Sequence, residues 1–416
     1  MLKSLLQELR EFLATSAIMI LTAIIVVTFL YDQVLEAYPV PTRSMEPTIE
    51  GDPTQGDRVL VDKTWDNWSQ PARFDQVVFW RADEDKILVK RIVGLPTEWI
   101  QIRSGDLFVG PSSESLDRVV KAPCADRDLM ARLWDSRLAP NWGEDWNRRE
   151  GCSHLLGKGR VELLPGDVRE NQLFEVPREP RATGSPQWNL SFDQTINSSY
   201  LDGFDKLQVS RFIPRDFGLV VKLRLSDDAH GGTFWAQLRH GSLCFLLGYQ
   251  SKGRARLWVV DSRGSRVLGE ASGYEVPTLR KKEDQEIRFF YLDGGLWLSV
   301  SGKDLVRIEY PPELMSYTSM TYTQTTGVAI AVTKAPITIE RLSIQHDFHY
   351  TTHDQRANAF AVHSPCFVPE DHFFVLGDNS ADSADSRIFG AISRKDIRGR
   401  PLMVAAPLSR FRIFPR

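Results

Sequence analysis

The chain has 416 residues with 51 Lys and Arg against 54 Asp and Glu, a formal charge of −3. The apolar (42%) and charged (25%) fractions are those of a globular protein, which excludes a disordered or collagen-like chain, and the absence of net basic character argues against a nucleic-acid partner. Cys124, Cys152, Cys244 and Cys366 form no Cys-x-x-Cys pair, which excludes a zinc ribbon or a disulfide-dense scaffold; no metal or other cofactor is expected.

Residues 12–31 carry no charged side chain. As a helix, such a run spans about 30 Å, the thickness of a bilayer's hydrocarbon core, with every backbone hydrogen bond satisfied internally. A cleavable leader would end in small residues, but this run ends in Phe29-Leu30-Tyr31-Asp32. A buried core helix of this length would need a polar face. The reading is a single transmembrane helix, residues 12–31, after a cytoplasmic N-terminus, residues 1–11. Asp32 and Glu36 follow it with no basic residue before Arg43, which places the rest of the chain outside.

Residues 32–110 read as short strands punctuated by Gly and Pro, among them Asp57 to Asp62, Gln76 to Trp80 and Ile87 to Val93. Residues 111–185 are polar and rich in Pro, Gly and Trp, and read as an irregular linker or insertion. Cys124 and Cys152 flank its Trp-rich part; a disulfide and two free thiols are both open readings. From 186 to 348, long apolar or alternating runs recur at regular spacing. Asp293-Gly294-Gly295 between two of them is a hairpin signal. This part reads as an antiparallel β-sandwich. Short strands return over 349–416. The fold class expected is therefore mainly β: a β domain interrupted by a β-sandwich insert, behind an N-terminal membrane helix.

Three polar clusters stand out in the outer segments: Thr42-Arg43-Ser44-Met45-Glu46-Pro47-Thr48-Ile49, Lys90-Arg91-Ile92-Val93-Gly94-Leu95-Pro96, and Gly377-Asp378-Asn379 through Ser383-Ala384-Asp385-Ser386-Arg387. Lys90 lies in an apolar strand run and shares a face with Leu88 and Ile92. The last cluster does not have the spacing of an EF-hand. No Gly-x-Ser-x-Gly elbow is present, and His is sparse in these segments, which argues against a Ser-His-Asp triad.

In order and form these clusters, with the strand box Gly56 to Lys63 and the membrane span ahead of them, resemble the bacterial type I signal peptidases. The resemblance covers residues 32–110 and 355–405. It implies a membrane-bound serine endopeptidase with Ser44 as nucleophile and a neutral Lys90 as general base. The Thr42 hydroxyl and the Ser44 N–H would form the oxyanion hole, and Ser383 would orient the lysine amine. Asp378, Asp385, Ser386 and Arg387 would give structural support, and Met45 and Val89 are candidate walls of the substrate pocket. The partners implied are secretory preproteins, cut after small residues at −1 and −3, and membrane lipid. The location implied is the bacterial inner membrane, with the catalytic domain on the periplasmic side.

Two departures from the family pattern are Pro96-Thr97-Glu98 in place of Pro-Gly-Asp, and Ser380 in place of an Arg. The insert resembles concanavalin A-like and laminin-G-like sandwiches, which would give it a carbohydrate or protein ligand; Trp235, Trp258 and Trp297 are candidates for stacking on sugars. The other reading of the chain is a membrane-anchored β-sandwich ligand-binding protein whose protease frame is not catalytic.

Overall fold

The computed structural model describes residues 2–65, 70–103, 105–123, 129–136, 146–148, 153–165, 190–192, 200–201, 207–208, 216–226, 231–241, 243–261, 266–309, 326–350 and 360–414. Cys124 and Cys152 lie outside them. Strands dominate. The chain divides into two compact units, residues 1–117 with 350–416, and residues 118–349.

The first unit begins with the helix Leu2–Gln33, which extends past both ends of the apolar run. Among the described residues no helix is both long and apolar enough to cross a membrane. Beyond the helix the unit is built on an antiparallel sheet. Its order is Leu35–Pro39, Arg58–Asp62, Ile397–Ala406, Gln76–Arg81, Lys86–Gly94, His372–Leu376, Ile392–Ser393, with Arg412–Ile413 added to the Ile397–Ala406 strand. Strands from the two ends of the chain therefore alternate in one sheet. The continuous apolar run Val77-Val78-Phe79 has a simple cause: both faces of its strand are covered. Val78 packs with Val40, Met45, Ile49, Val59, Val61, Val404 and Phe414, while Val77 and Phe79 pack with Trp65, Ile92, Phe373, Val375 and Ile392. A smaller sheet joins Cys366–Phe367, Trp99–Arg103, Asp106–Ser112 and Ser115–Arg118.

The second unit consists of an eight-stranded and a seven-stranded antiparallel sheet around one large core. Alternate residues supply that core, as in Phe217, Leu219, Val221, Leu223 and Leu225, or Phe245, Leu247 and Tyr249. The expected hairpin is present: Asp293 and Gly294 both have positive φ, 49° and 77°, between paired strands Gln285–Leu292 and Gly295–Val300.

The stretch 111–185, expected to be irregular, supplies strands. Met130–Asp135 and Arg160–Leu163 both pair with Ile337–Asp347. Trp134 and Trp146 join the sandwich core and pack with Phe192, the Trp146 ring centroid lying 5.3 Å from that of Trp134 and 5.4 Å from that of Phe192. These strands are only three to six residues long, too short for an alternation to show in the sequence. Trp235 and Trp258, considered for sugar stacking, are instead buried, stacked on each other at 5.6 Å, and Trp297 is buried too.

The turn at Thr97 shows how the first departure is accommodated. Thr97 takes φ +66°, a conformation that favours glycine. Glu98 accepts the Leu95 N–H at 3.0 Å and binds the Arg73 guanidinium at 2.6 and 2.8 Å. The carboxylate thus closes the turn, and the β-branched residue bears the strain. Thr97→Gly should stabilise the protein by about 1 kcal/mol, since the relief of a left-handed conformation exceeds the added freedom of the unfolded chain; a raised midpoint in thermal unfolding checks this.

Candidate active site

Ser44 sits at the centre of a 3-10 turn, Arg43–Met45, entered from an extended Thr42 (φ −123°, ψ 149°). Met45 is fully buried and fixes the turn to the core. The Thr48 and Ile49 N–H groups donate to the Met45 carbonyl at 2.9 Å, which closes the following turn. The Arg43 guanidinium holds the buried Glu46 carboxylate at 2.9 to 3.1 Å.

The loop after His372–Leu376 locks this turn from the other side. The Asn379 N–H donates to the Ser44 carbonyl, and its Nδ2 donates to the Arg43 carbonyl, both at 3.1 Å. Gly377 lies against the same point. A Cβ added there would sit 2.2 Å from Ser383 Oγ and 2.5 Å from the Ser44 carbonyl oxygen.

Lys90 projects from Lys86–Gly94, opposite Val77 of the neighbouring strand. Its side chain is 2% exposed, and its Nζ donates to Ser44 Oγ at 2.5 Å. Burial lowers its pKa from 10.5 to about 8; Asp385 and Asp378 oppose the shift and Arg387 assists it. Thr42 Oγ1 lies 3.4 Å from Ser44 Oγ.

Both acidic residues are held in ion pairs. Asp378 receives Arg91 Nε and Nη2 at 2.7 and 2.6 Å. Asp385 receives Arg387 Nε and Nη2 at 2.8 Å and also accepts the Gly377 N–H at 3.1 Å, while Arg387 donates to the Ser380 carbonyl. Ser386 Oγ accepts the Val375 N–H at 2.9 Å.

Ser44, Lys90 and Thr42 are thus brought together, and Asp378, Asp385, Ser386 and Arg387 form the frame behind them. Ser383 departs from expectation: its Oγ is buried without a hydrogen-bond partner, so it makes no bond to Lys90. The lysine amine is already engaged by Ser44. Val89 is partly exposed, whereas Met45 lies in the core. The sequence reading passed over Arg91, Gly377, Asn379 and Glu46. Arg91 and Asn379 stood within clusters already singled out, but only the fold shows that their polar groups bridge two of those clusters.

A hydroxyl hydrogen-bonded to a buried amine of lowered pKa can generate an alkoxide without histidine, which is the chemistry of a hydrolase. The family described as signal peptidase, peptidase S26, matches residues 9–168 and 318–405, and this chain belongs to it. It is 31% identical over 188 residues to the probable signal peptidase I-2 of Synechocystis, covering 40% of this chain and 82% of that protein. It is 28% identical over 155 residues to signal peptidase I of Bacillus caldolyticus, covering 36% of this chain and 81% of that protein. It is also 31% identical over 91 residues to the inactive signal peptidase IA of Staphylococcus aureus, covering 22% and 49%. The chain is a peptidase of this family.

Two substitutions probe the geometry. Gly377→Ala should cut activity at least about 100-fold, because displacement of the reacting groups by even about 1 Å has effects of that order; a peptide-cleavage assay beside a melting curve reads it. Lys90→Met should abolish activity and stabilise the protein by up to about 3 kcal/mol at pH 7, since the unfolded chain holds the proton more tightly than the folded one. In the wild type, stability should rise with pH between about 8 and 10.5, where the unfolded lysine is still protonated and the folded one is not.

Proposed function

We propose that Ser44 and Lys90 form a catalytic dyad that removes signal peptides from secretory preproteins. The 2.5 Å bond between a buried amine and the Ser44 hydroxyl carries the reading. Neutral Lys90 takes the proton from Ser44 Oγ, which attacks the scissile carbonyl carbon. The developing oxyanion is held by the Ser44 N–H and the Thr42 hydroxyl. Lys90 then gives its proton to the leaving amine nitrogen, leaving an ester on Ser44. Lys90 takes a proton from the incoming water, whose oxygen attacks the ester and frees Ser44. Ser383, whose buried hydroxyl makes no hydrogen bond in the free enzyme, would orient the lysine amine when Ser44 becomes acylated.

The substrate lies extended along an open strand edge. His372–Leu376 pairs with Lys86–Gly94 only at Arg91, Ile92 and Gly94, so the edge over residues 86–90 has no strand partner on that side among the described residues. A peptide added there would meet the partly exposed Val89, a candidate wall for the small residues at −1 and −3.

The helix Leu2–Gln33 is the membrane anchor of this reading. Four successive side chains, Ile18, Met19, Ile20 and Leu21, are each 59 to 66% exposed, so apolar surface points outward on every side of the helix. Lipid is the solvent that suits such a surface. The catalytic domain then lies on the outer side of a bacterial inner membrane, where preproteins emerge. A non-catalytic frame is the competing reading, and the intact contact between Ser44 and Lys90 disfavours it.

Incubation of the purified full chain with a preprotein in detergent tests the proposal. Ser44→Ala and Lys90→Ala should each abolish cleavage while leaving the fold intact; substantial activity in either removes the dyad. For the wild type, kcat/KM should rise about tenfold per pH unit up to about pH 8 and then level off, as the base loses its proton. A profile flat from pH 6 to 9 would contradict Lys90 as the base.

A further inference from the structure

The open edge of Lys86–Gly94 has a definite end. His372–Leu376 runs antiparallel to that strand, with Phe374 opposite Gly94 and Leu376 opposite Arg91. In the same register the next residue, Gly377, would face Lys90. The chain turns away instead, and the Gly377 N–H donates to the Asp385 carboxylate at 3.1 Å. A peptide added along residues 86–90 is therefore in line with His372–Leu376 and meets Gly377 end to end. With the cut at Ser44 and Lys90, the residues before it fill the open edge. Those after it find the edge already taken by Leu376, and they leave across the segment that follows Gly377.

That segment is a 3-10 turn, Ser380–Asp382, fastened to the nucleophile turn. The Asp382 N–H donates to the Asn379 carbonyl at 3.0 Å, and the Asn379 N–H donates to the Ser44 carbonyl at 3.1 Å. One residue thus links Asp382 to Ser44. The hydroxyl of the next residue, Ser383, is buried against Gly377, whereas Asp382 itself is exposed.

The Asp382 charge is not matched. Asp378 and Asp385, the other carboxylates that act on Lys90, are bound by Arg91 and Arg387. The Arg43 guanidinium on the neighbouring turn is bound by Glu46. Among the described residues the Asp382 side chain has no hydrogen bond or ion pair, and its turn is closed by a backbone bond that does not use it. Yet it lies close enough to Lys90 for its charge to favour the protonated amine.

We infer that Asp382 selects among substrates, its carboxylate pairing with a Lys or Arg side chain in the first two residues after the cut. The inference takes the place of the cut, and nothing else, from the proposed dyad. A long basic side chain reaches an exposed carboxylate while its own charge stays in water, and a pair of that kind gives a preference of about three- to fivefold. An acidic side chain in the same position is repelled, which widens the discrimination.

The test uses three peptides that are identical before the cut and carry Lys, Gln or Glu at both +1 and +2. The full chain in detergent should cleave them in that order of kcat/KM, about three- to fivefold apart at each step, and the spread should shrink in high salt. Asp382→Asn should bring the three rates together, and Asp382→Lys should reverse their order. Because Asp382 also acts on Lys90, a variant's absolute rates follow the base, but the ratios within one variant do not. A uniform change in all three rates would assign Asp382 to the lysine charge alone and overturn the inference.

Binding separates this test from the dyad. The same peptides, fluorescently labelled, are titrated against Ser44→Ala and against the double variant Ser44→Ala, Asp382→Asn. The order of affinity should match the order of rates in the first and vanish in the second. If the wild type cuts nothing while that order holds, the dyad fails and the selection by Asp382 stands. If the peptides are cut but at equal rates and bound equally, the dyad stands and the selection falls. An order absent from both measurements overturns the inference whatever the activity.

Discussion

One contact organises the protease unit: an ammonium group taken out of water and set against a hydroxyl. A free lysine titrates at 10.5, and burial is the largest cause of the fall to about 8 at Lys90. Two nearby carboxylates, Asp385 and Asp378, pull in the opposite direction by stabilising the charged form. Each is matched to an arginine, Arg387 and Arg91, through paired charge-assisted bonds. The ion pairs therefore do more than brace a loop. By neutralising the carboxylates they prevent the frame that positions Lys90 from also holding its proton.

The same pairs join distant parts of the chain. Arg91 belongs to the Lys86–Gly94 strand and Asp378 to the segment after His372–Leu376; Asn379 then reaches back to the carbonyls of Arg43 and Ser44. A long insertion separates these segments in sequence. Loop-closure entropy grows only with the logarithm of length, and the insertion has its own core, so the cost of interrupting the protease unit is modest. The strands on either side of the interruption interleave in one sheet, which fixes the ends of the insertion whatever lies between them.

Much of this was legible in the sequence because its chemistry is local. Lys90 stands out as a charged residue in an apolar strand run, Ser44 belongs to a recognisable polar cluster, and several sandwich strands, such as Phe217–Leu225 and Thr233–His240, run for eight or nine residues. Asp293-Gly294 is a turn signal that needs no tertiary context. What remained hidden is tertiary. Arg91 follows Lys90 directly, so a two-residue period assigns it to the other face; nothing in the sequence says that this face is also closed and supplied with Asp378. The short strands between residues 130 and 163 lack the length to show a period, so nothing in the sequence marks Trp134 and Trp146 as members of the sandwich core. Thr97 is a third case: a β-branched residue in a glycine conformation is not a choice that propensity would make, and the Glu98 contacts with Leu95 and Arg73 hold it there.

The choice of lysine over histidine follows from the architecture. An imidazole base needs a second group to fix its tautomer and orientation, usually a carboxylate. Here the acids near the base are committed to arginines. A lysine needs no tautomer partner, and its four-carbon stem reaches Ser44 from a strand held along one side by Gln76–Arg81. In the proposed dyad, activity would depend on the exclusion of water from the amine. Water admitted to the amine would move its pKa back toward 10.5 and shrink the neutral fraction that is present near pH 7. On the proposed mechanism, the close approach of Gly377 to Ser383 and the Ser44 carbonyl would serve the base by keeping water out, although none of those contacts involves the reacting atoms.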